Sequence, residues 1–238
     1  MTMENVPGLA GHKVFQQFVE TLQAEGYNVS YRLIDCSEYG LPQKRRRLVL
    51  LASKMGDICL TAPAQFGRPP KTVWDAIKRF PALENGSTDP RDPLHRCARL
   101  SPLNQKRIKA SVPGGTWKDW PSDLVADCHR KETGQSYSSV YSRMEWDRPS
   151  PTITTQFYGF GTGRFGHPEQ DRALSLREGA ALQSFPQDYQ FVPPGEAINQ
   201  RVVGRMIGNA VPVLLGELIG HSILTHISAI DNRFGIVA

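Results

Sequence analysis

The feature that most constrains the fold is residues 43–53, Gln-Lys-Arg-Arg-Arg-Leu-Val-Leu-Leu-Ala-Ser. Its Leu48–Ala52 core is the longest aliphatic run in the chain. An apolar run of this length, entered from a turn, reads as a well-buried strand. Just before it, "VSYRLID" at 29–35 alternates like a second strand, and Gly40 and Pro42 supply a rigid turn between them. Further upstream, Val14, Phe15, Phe18, Val19 and Leu22 form the stripe of an amphipathic helix over 12–25, with Gly26 at its stop. Helix, strand, turn, strand is the edge of an α/β sheet. The chain enters on "MTMENVPGLAG" with no strand before it, so a sheet of mainly two strands is expected.

From about residue 59 to 147 Pro, Gly, Trp and charged residues interrupt every apolar run, the mark of a small, loop-rich domain. Regularity returns with "PSPTITTQF", read as a short strand, and with a helix "LREGAALQSF" that Ser175 and Glu178 introduce as a capping box. Two helical pieces follow, broken at Gly208-Asn209, with Pro212 placed to open the second. The expected divisions are 1–58, 59–147 and 148–238.

The net charge of +5 suits a polyanionic partner better than a membrane. Four cysteines without paired spacing predict a reduced, cytoplasmic chain, and the longest aliphatic run is far too short to span a bilayer. Two other patterns fail their context. "GTGRFG" at 161–166 leads into Pro168 and charges rather than a helix, so it is no dinucleotide fingerprint. His95, Cys97, Cys128 and His129 lack a standard zinc spacing, and no metal is expected.

Strand alternation puts Gln43, Arg45 and Arg47 on one face and Lys44 and Arg46 on the other. An amide beside two guanidiniums suits phosphate or a base carbonyl; the alternative is a solvated strand edge. This pattern, with its Tyr-Gly-x-Pro lead-in, resembles the Gln-x-Arg-x-Arg motif of the cytosine-5 DNA methyltransferases. "ENVPGL" at 4–9, "RPSPTITT" at 148–155 and "GNAVP" at 208–212 resemble further motifs of that family in the same order. The resemblance runs from residue 4 to about 225. It implies a partial Rossmann-like, S-adenosylmethionine-dependent methyltransferase sheet edge plus a target-recognition domain at 59–147.

The family's chemistry assigns expected roles. Glu4 matches the carboxyl group that protonates cytosine N3, Arg47 the arginine on O2, and Arg45 the one bracing a flipped nucleotide. Gln43 shapes the turn near DNA. Asn209, Ala210 and Val211 match the turn that lines the S-adenosyl-L-methionine pocket, although Ala210 stands where the family often has Ser. Arg107, Lys109 and Lys118 are the expected contacts to double-stranded DNA, whereas Trp117 and Trp120 suit the small domain's core. Without the resemblance, Glu4 reads as a helix-entry carboxylate and Asn209 as a helix break.

No cysteine follows a proline, so the family's Pro-Cys nucleophile is absent, and so is its Gly-rich cofactor turn. The expectation is the C-terminal portion of a methyltransferase, a split subunit or truncated chain that needs a complementing N-terminal fragment. The alternative is a non-catalytic DNA-binding module or decayed remnant, and an RNA substrate stays open.

Overall fold

A computed structural model describes residues 1–234. In chain order the elements are β1 (Thr2–Asn5), α1 (Lys13–Ala24), β2 (Asn28–Asp35), β3 (Arg46–Ser53), α2 (Pro63–Phe66), α3 (Val73–Ile77), β4 (Thr88–Asp89), β5 (Asp92–Arg96), α4 (Pro102–Ala110), α5 (Asp127–Arg130), α6 (Leu176–Leu182), α7 (Gln200–Asn209) and α8 (Val213–Phe234). They fall into two compact units, residues 1–70 with the segment from Val211 onward, and residues 71–210. The boundaries expected at 58 and 147 lie inside these units: 59–70 cluster with the first and 148–210 with the second.

In the first unit β3 is the central strand of an antiparallel sheet ordered β1-β3-β2. Side chains alternate along it, so Leu48, Leu50 and Ala52 meet Phe15 and Leu22 of α1 on one face. Val49 and Leu51 meet Ile34 of β2 and Leu214, Leu215 and Leu218 of α8 on the other. Double coverage explains why this strand is apolar throughout rather than alternating. Each of the buried Val, Leu, Ile and Phe side chains contributes roughly 1.5–3 kcal/mol on burial. Thr61 N–H donates to Ser222 Oγ at 2.9 Å and His226 sits 2.8 Å from Ser53 Oγ, fixing α8 along its length. By length and composition the helical stretch Gln200–Asn232 is apolar enough for a bilayer; one face of its α8 part covers β3.

The sheet has three strands, which corrects the expectation of two. Thr2–Asn5 carries no strand pattern of its own and pairs with Leu48–Leu51, so β3 makes β1 a strand by supplying the ladder partners.

In the second unit α3, β5, α6 and α7 enclose Val73, Ile77, Leu94, Phe157, Leu176, Val203 and Ile207. A second cluster joins Ile108 of α4 to Trp117, Trp120, Leu124 and Phe160, the core role expected for those two tryptophans. The capping box forms: Glu178 N–H donates to Ser175 Oγ at 3.0 Å, and Ser175 N–H donates to Glu178 Oε2 at 2.8 Å. "PSPTITTQF" is not a ladder strand. Two prolines thin its donors, and its backbone at Thr154 lies against α7, where a Cβ on Gly208 would fall 2.4 Å from the Thr154 carbonyl carbon.

Candidate functional site

The loop from β2 to β3 is built by local bonds. Asp35 Oδ1 accepts from Ser37 N–H at 3.0 Å and starts a short 3-10 turn over Cys36–Tyr39. Gly40 ends it at φ +91°, a left-handed conformation that glycine adopts without strain. Cys36 N–H then donates to Arg45 O at 2.9 Å, closing the loop onto the start of β3.

The strand alternation holds across this join. Gln43 and Arg45 are buried and Arg47 is mostly so, while Lys44 and Arg46 are exposed. Arg45 Nη1 donates to Gln43 Oε1 at 3.4 Å. Burial, and then the neighbouring Arg47 charge, push Arg45 down to about 10, so it stays a cation at neutral pH. Glu4 pairs in register with Val49, so Arg47, two residues earlier on β3, projects from the same face. Arg47 Nε reaches Glu4 Oε1 at 2.5 Å. The contact is an ion pair too oblique for a hydrogen bond, which leaves the buried Oε1 with acceptor capacity. A carboxyl group braced by one guanidinium and flanked by a second can hold a planar, polar ring by its edge.

Cys36 lies beside this group, and sequence reasoning gave it no role. Burial drives its thiol up to about 12, against the opposing charges of Arg45 and Arg47. It is therefore a protonated thiol at neutral pH and no nucleophile.

The turn Asn209–Val211 lies between α7 and α8. Ala210 N–H donates to Met206 O and Ile207 O, at 3.1 and 3.3 Å, and closes α7. Asn209 and Val211 are exposed.

The three basic residues expected on DNA separate. Lys109 and Lys118 are exposed, and Lys118 Nζ lies over the Trp117 ring at 5.7 Å. Arg107 corrects the expectation, because it is a core residue. Its Nε donates to Leu124 O at 2.8 Å, Nη1 donates to Asn104 Oδ1 at 3.1 Å, and the guanidinium lies over Tyr141 and Trp120.

Sequence reasoning also missed a buried polar network in the second unit. Arg172 donates to both Glu178 carboxylate oxygens at 2.7 Å. Burial alone would raise Glu178, yet the Arg172 charge and hydrogen bonds hold it down to about 2. His167 Nδ1 accepts from the N–H groups of Glu169 and Gln170. Burial lowers that ring to about 4, so its 3.7 Å approach to Glu178 is no ion pair at neutral pH. Arg143 donates to the carbonyls of Ile108, Ser111, His167 and Gln170 and pairs with Asp171. The available signal was the density of Arg, His and Glu in "GRFGHPEQDRALSLRE". His95 bridges Ser175 Oγ and Pro81 O at 2.9 Å each, and His129 stacks on Trp117. The described residues contain no group of three or more potential metal ligands.

The model of the C-5 cytosine-specific DNA methylase family matches residues 1–225. The type II methylase M.HgiDII of Herpetosiphon aurantiacus is 49% identical over 236 residues, covering 98% of this chain and 66% of that protein. The type II methyltransferase M1.BsuMI of Bacillus subtilis (strain 168) is 34% identical, covering 91% of this chain and 49% of its own. Among solved structures, an E. coli prophage-encoded protein described as a DNA modification methyltransferase shares the fold at TM-score 0.68 and 19% identity, over 95% of this chain and 69% of that one. The chain thus spans about half to two thirds of the length of the curated relatives described.

Proposed function

Because this chain belongs to the C-5 cytosine-specific DNA methylase family, we propose that it supplies the base-holding and DNA-recognition parts of a DNA (cytosine-5) methyltransferase acting with a separate N-terminal fragment. The observation that carries this reading is the Glu4–Arg47 pair on adjacent strands, with Arg45 and Gln43 buried beside it. Carbon 5 of cytosine becomes nucleophilic only after a thiolate adds to carbon 6, and protonation of N3 eases that addition. Glu4 holds the proton at N3. Arg47, which pairs with Glu4 in this structure, exchanges that partner for the cytosine O2, and Arg45 braces the extruded nucleotide from the strand start.

S-adenosyl-L-methionine, the cofactor of this family, supplies the methyl group, and Asn209, Ala210 and Val211 would hold it through backbone and amide contacts. Residues 71–210 act as the recognition unit, with Lys109 and Lys118 on the phosphates. A cytoplasmic enzyme of a restriction-modification pair fits its type II relatives.

One observation favours the second reading, a non-catalytic DNA-binding module: no cysteine follows a proline, and Cys36 is held protonated. Labelled methyl transfer to duplex DNA separates the two. The chain alone should transfer none, and mixing with the unmatched part of the Herpetosiphon relative, made as its own polypeptide, should restore transfer. Incorporation by the chain alone overturns the two-fragment reading. Duplex binding without transfer in the mixture favours the module.

A further inference from the structure

Strand β2 is an outer strand of its sheet, eight residues long, and among the described residues no strand pairs with its far side. The phase of its ladder with β3 fixes which main-chain groups point away. Cys36 N–H donates to Arg45 O, one step beyond the Asp35–Arg46 register pair. Antiparallel strands alternate bonded and non-bonded pairs, so Ile34, Arg32 and Ser30 bond inward to β3, whereas Val29, Tyr31 and Leu33 turn their N–H and C=O groups outward. The side chains of those three residues also share one face. Tyr31 is 49% exposed and Leu33 48%, with the Tyr31 ring edge-on to Phe15 of α1. The strand has no Pro, Lys or bulge to guard its edge, and its exposed charge is Arg32.

The charges beside the strand point to its occupant. A groove of about 500 Å³ opens at the start of β2, where Asn28 and Ser30 face Asp57 and Ile58. Asp57 is exposed and, among the described residues, belongs to no ion pair. On the other face Lys54 is exposed, its Nζ 4.9 Å from the centroid of the Tyr27 ring. The beginning of the strand therefore has an anion on one face and a cation on the other. Farther along, the first face carries Arg32 and the second Asp35. An antiparallel copy of the same strand reverses this order, so each charge meets its opposite.

We propose that β2 is a docking edge for a second copy of this chain, paired antiparallel about a two-fold axis at Tyr31. In that register Tyr31 meets the partner's Tyr31, and Leu33 meets the partner's Val29, which makes one apolar face. Ser30 meets the partner's Arg32 beside Asp57, and Tyr27 meets the partner's Asp35 beside Lys54. Each of these contacts occurs twice by symmetry. Other registers are poorer. An axis at Arg32 sets two guanidiniums face to face, one at Leu33 sets Tyr31 against the partner's Asp35, and one at Ser30 shortens the ladder. Main-chain bonds supply affinity, and the charges supply register. A single strand pair is a small interface, so the dimer dissociates on dilution. This inference stands apart from the two-fragment reading.

Sedimentation of the full chain across the micromolar range should show a monomer–dimer equilibrium, with amide exchange at Val29, Tyr31 and Leu33 slowing as the dimer fills. Asp57→Arg should weaken association about tenfold or more, Arg32→Asp should do the same, and the two substitutions together should restore it. Should Asp57→Arg lower the Tm, Lys54→Glu, which faces the partner's Asp35, carries the same test. In a chain with Cys59→Ser and Cys128→Ser, Tyr31→Cys should give a disulfide-linked dimer under mild oxidant, whereas Val29→Cys and Leu33→Cys should not. A chain that stays monomeric at every concentration overturns the proposal. A dimer indifferent to the charge variants, or one that cross-links through Leu33→Cys in place of Tyr31→Cys, overturns it equally.

Discussion

Glu4 on β1 and Arg47 on β3 meet side chain to side chain at 2.5 Å, although β1 pairs Glu4 with Val49. The diagonal, two residues off register, places the carboxyl group at the end of the sheet where the β2–β3 loop closes. With a complementing fragment present, Glu4→Gln should cut methyl transfer about 100-fold or more, the range of a lost general acid. Duplex binding in a mobility-shift titration should be unchanged. A loss of both together would make Glu4 a structural residue only.

Thiol accessibility gives a second test. Cys59 and Cys128 are exposed and Cys36 and Cys97 buried. A chromogenic disulfide reagent at pH 8 should find two fast thiols in the folded chain and four in denaturant. Fast labelling of Cys36 would show that the loop opens and that its thiol is more acidic than its burial dictates.

Acid should destabilise the second unit in two stages. His167 falls from the ordinary 6.5 to about 4 on folding. Below pH 6.5 the unfolded chain therefore binds a proton that the folded chain refuses, and stability drops by up to ~3 kcal/mol as pH approaches 4. Glu178 falls from 4.5 to about 2. Its contribution is complete above pH 4.5 and is lost as pH falls toward 2. Tm measured from pH 7.5 to 3.5 should fall over both windows, and His167→Gln should flatten the upper one. Glu178→Gln at pH 7 leaves Arg172 buried with a neutral partner and should cost about 3–5 kcal/mol.

Gly208→Ala should lower stability by about 1–3 kcal/mol through overpacking, since the new methyl meets the Thr154 backbone. Chemical denaturation checks it. A neutral result would mean that the 151–155 segment moves away at little cost.

The cations of the second unit should behave in two ways. Lys109→Ala and Lys118→Ala should each reduce the salt slope of duplex binding by about one unit, with unchanged Tm. Arg107→Ala should lower Tm, because it strips hydrogen bonds from Leu124 O and Asn104. A salt-slope change for Arg107→Ala at constant Tm would return that residue to the DNA surface.

Sequence patterns predicted the elements whose partners are close in the chain. The α1 stripe, the β2–β3 pair and the Ser175–Glu178 box are periodic or local, and each forms. Even so, Val14 of that stripe is exposed, since Phe15 and Leu22 make the main contact with the sheet. The β1 strand was illegible because its reason to exist is β3, more than forty residues away. Arg107 read as a surface cation because nothing in its own helix reveals the Leu124 carbonyl waiting for it. For the same reason the Arg143 clamp, made of carbonyls from Ile108 to Gln170, has no motif. The candidate site was the most legible part, since Gln43, Arg45 and Arg47 alternate on a single strand start.

The first unit is discontinuous in sequence: residues 71–210 are inserted between the segments that form its sheet and α8. During synthesis Val49 and Leu51 are made some 160 residues before Leu214, Leu215 and Leu218, the side chains that cover them. The second unit, continuous in sequence, completes its core while β3 still has one bare face. The sheet that carries Glu4 and Arg47 is therefore the last part to mature, and a ribosome that stalls before residue 213 releases a finished second unit attached to an unfinished, aggregation-prone half-sheet.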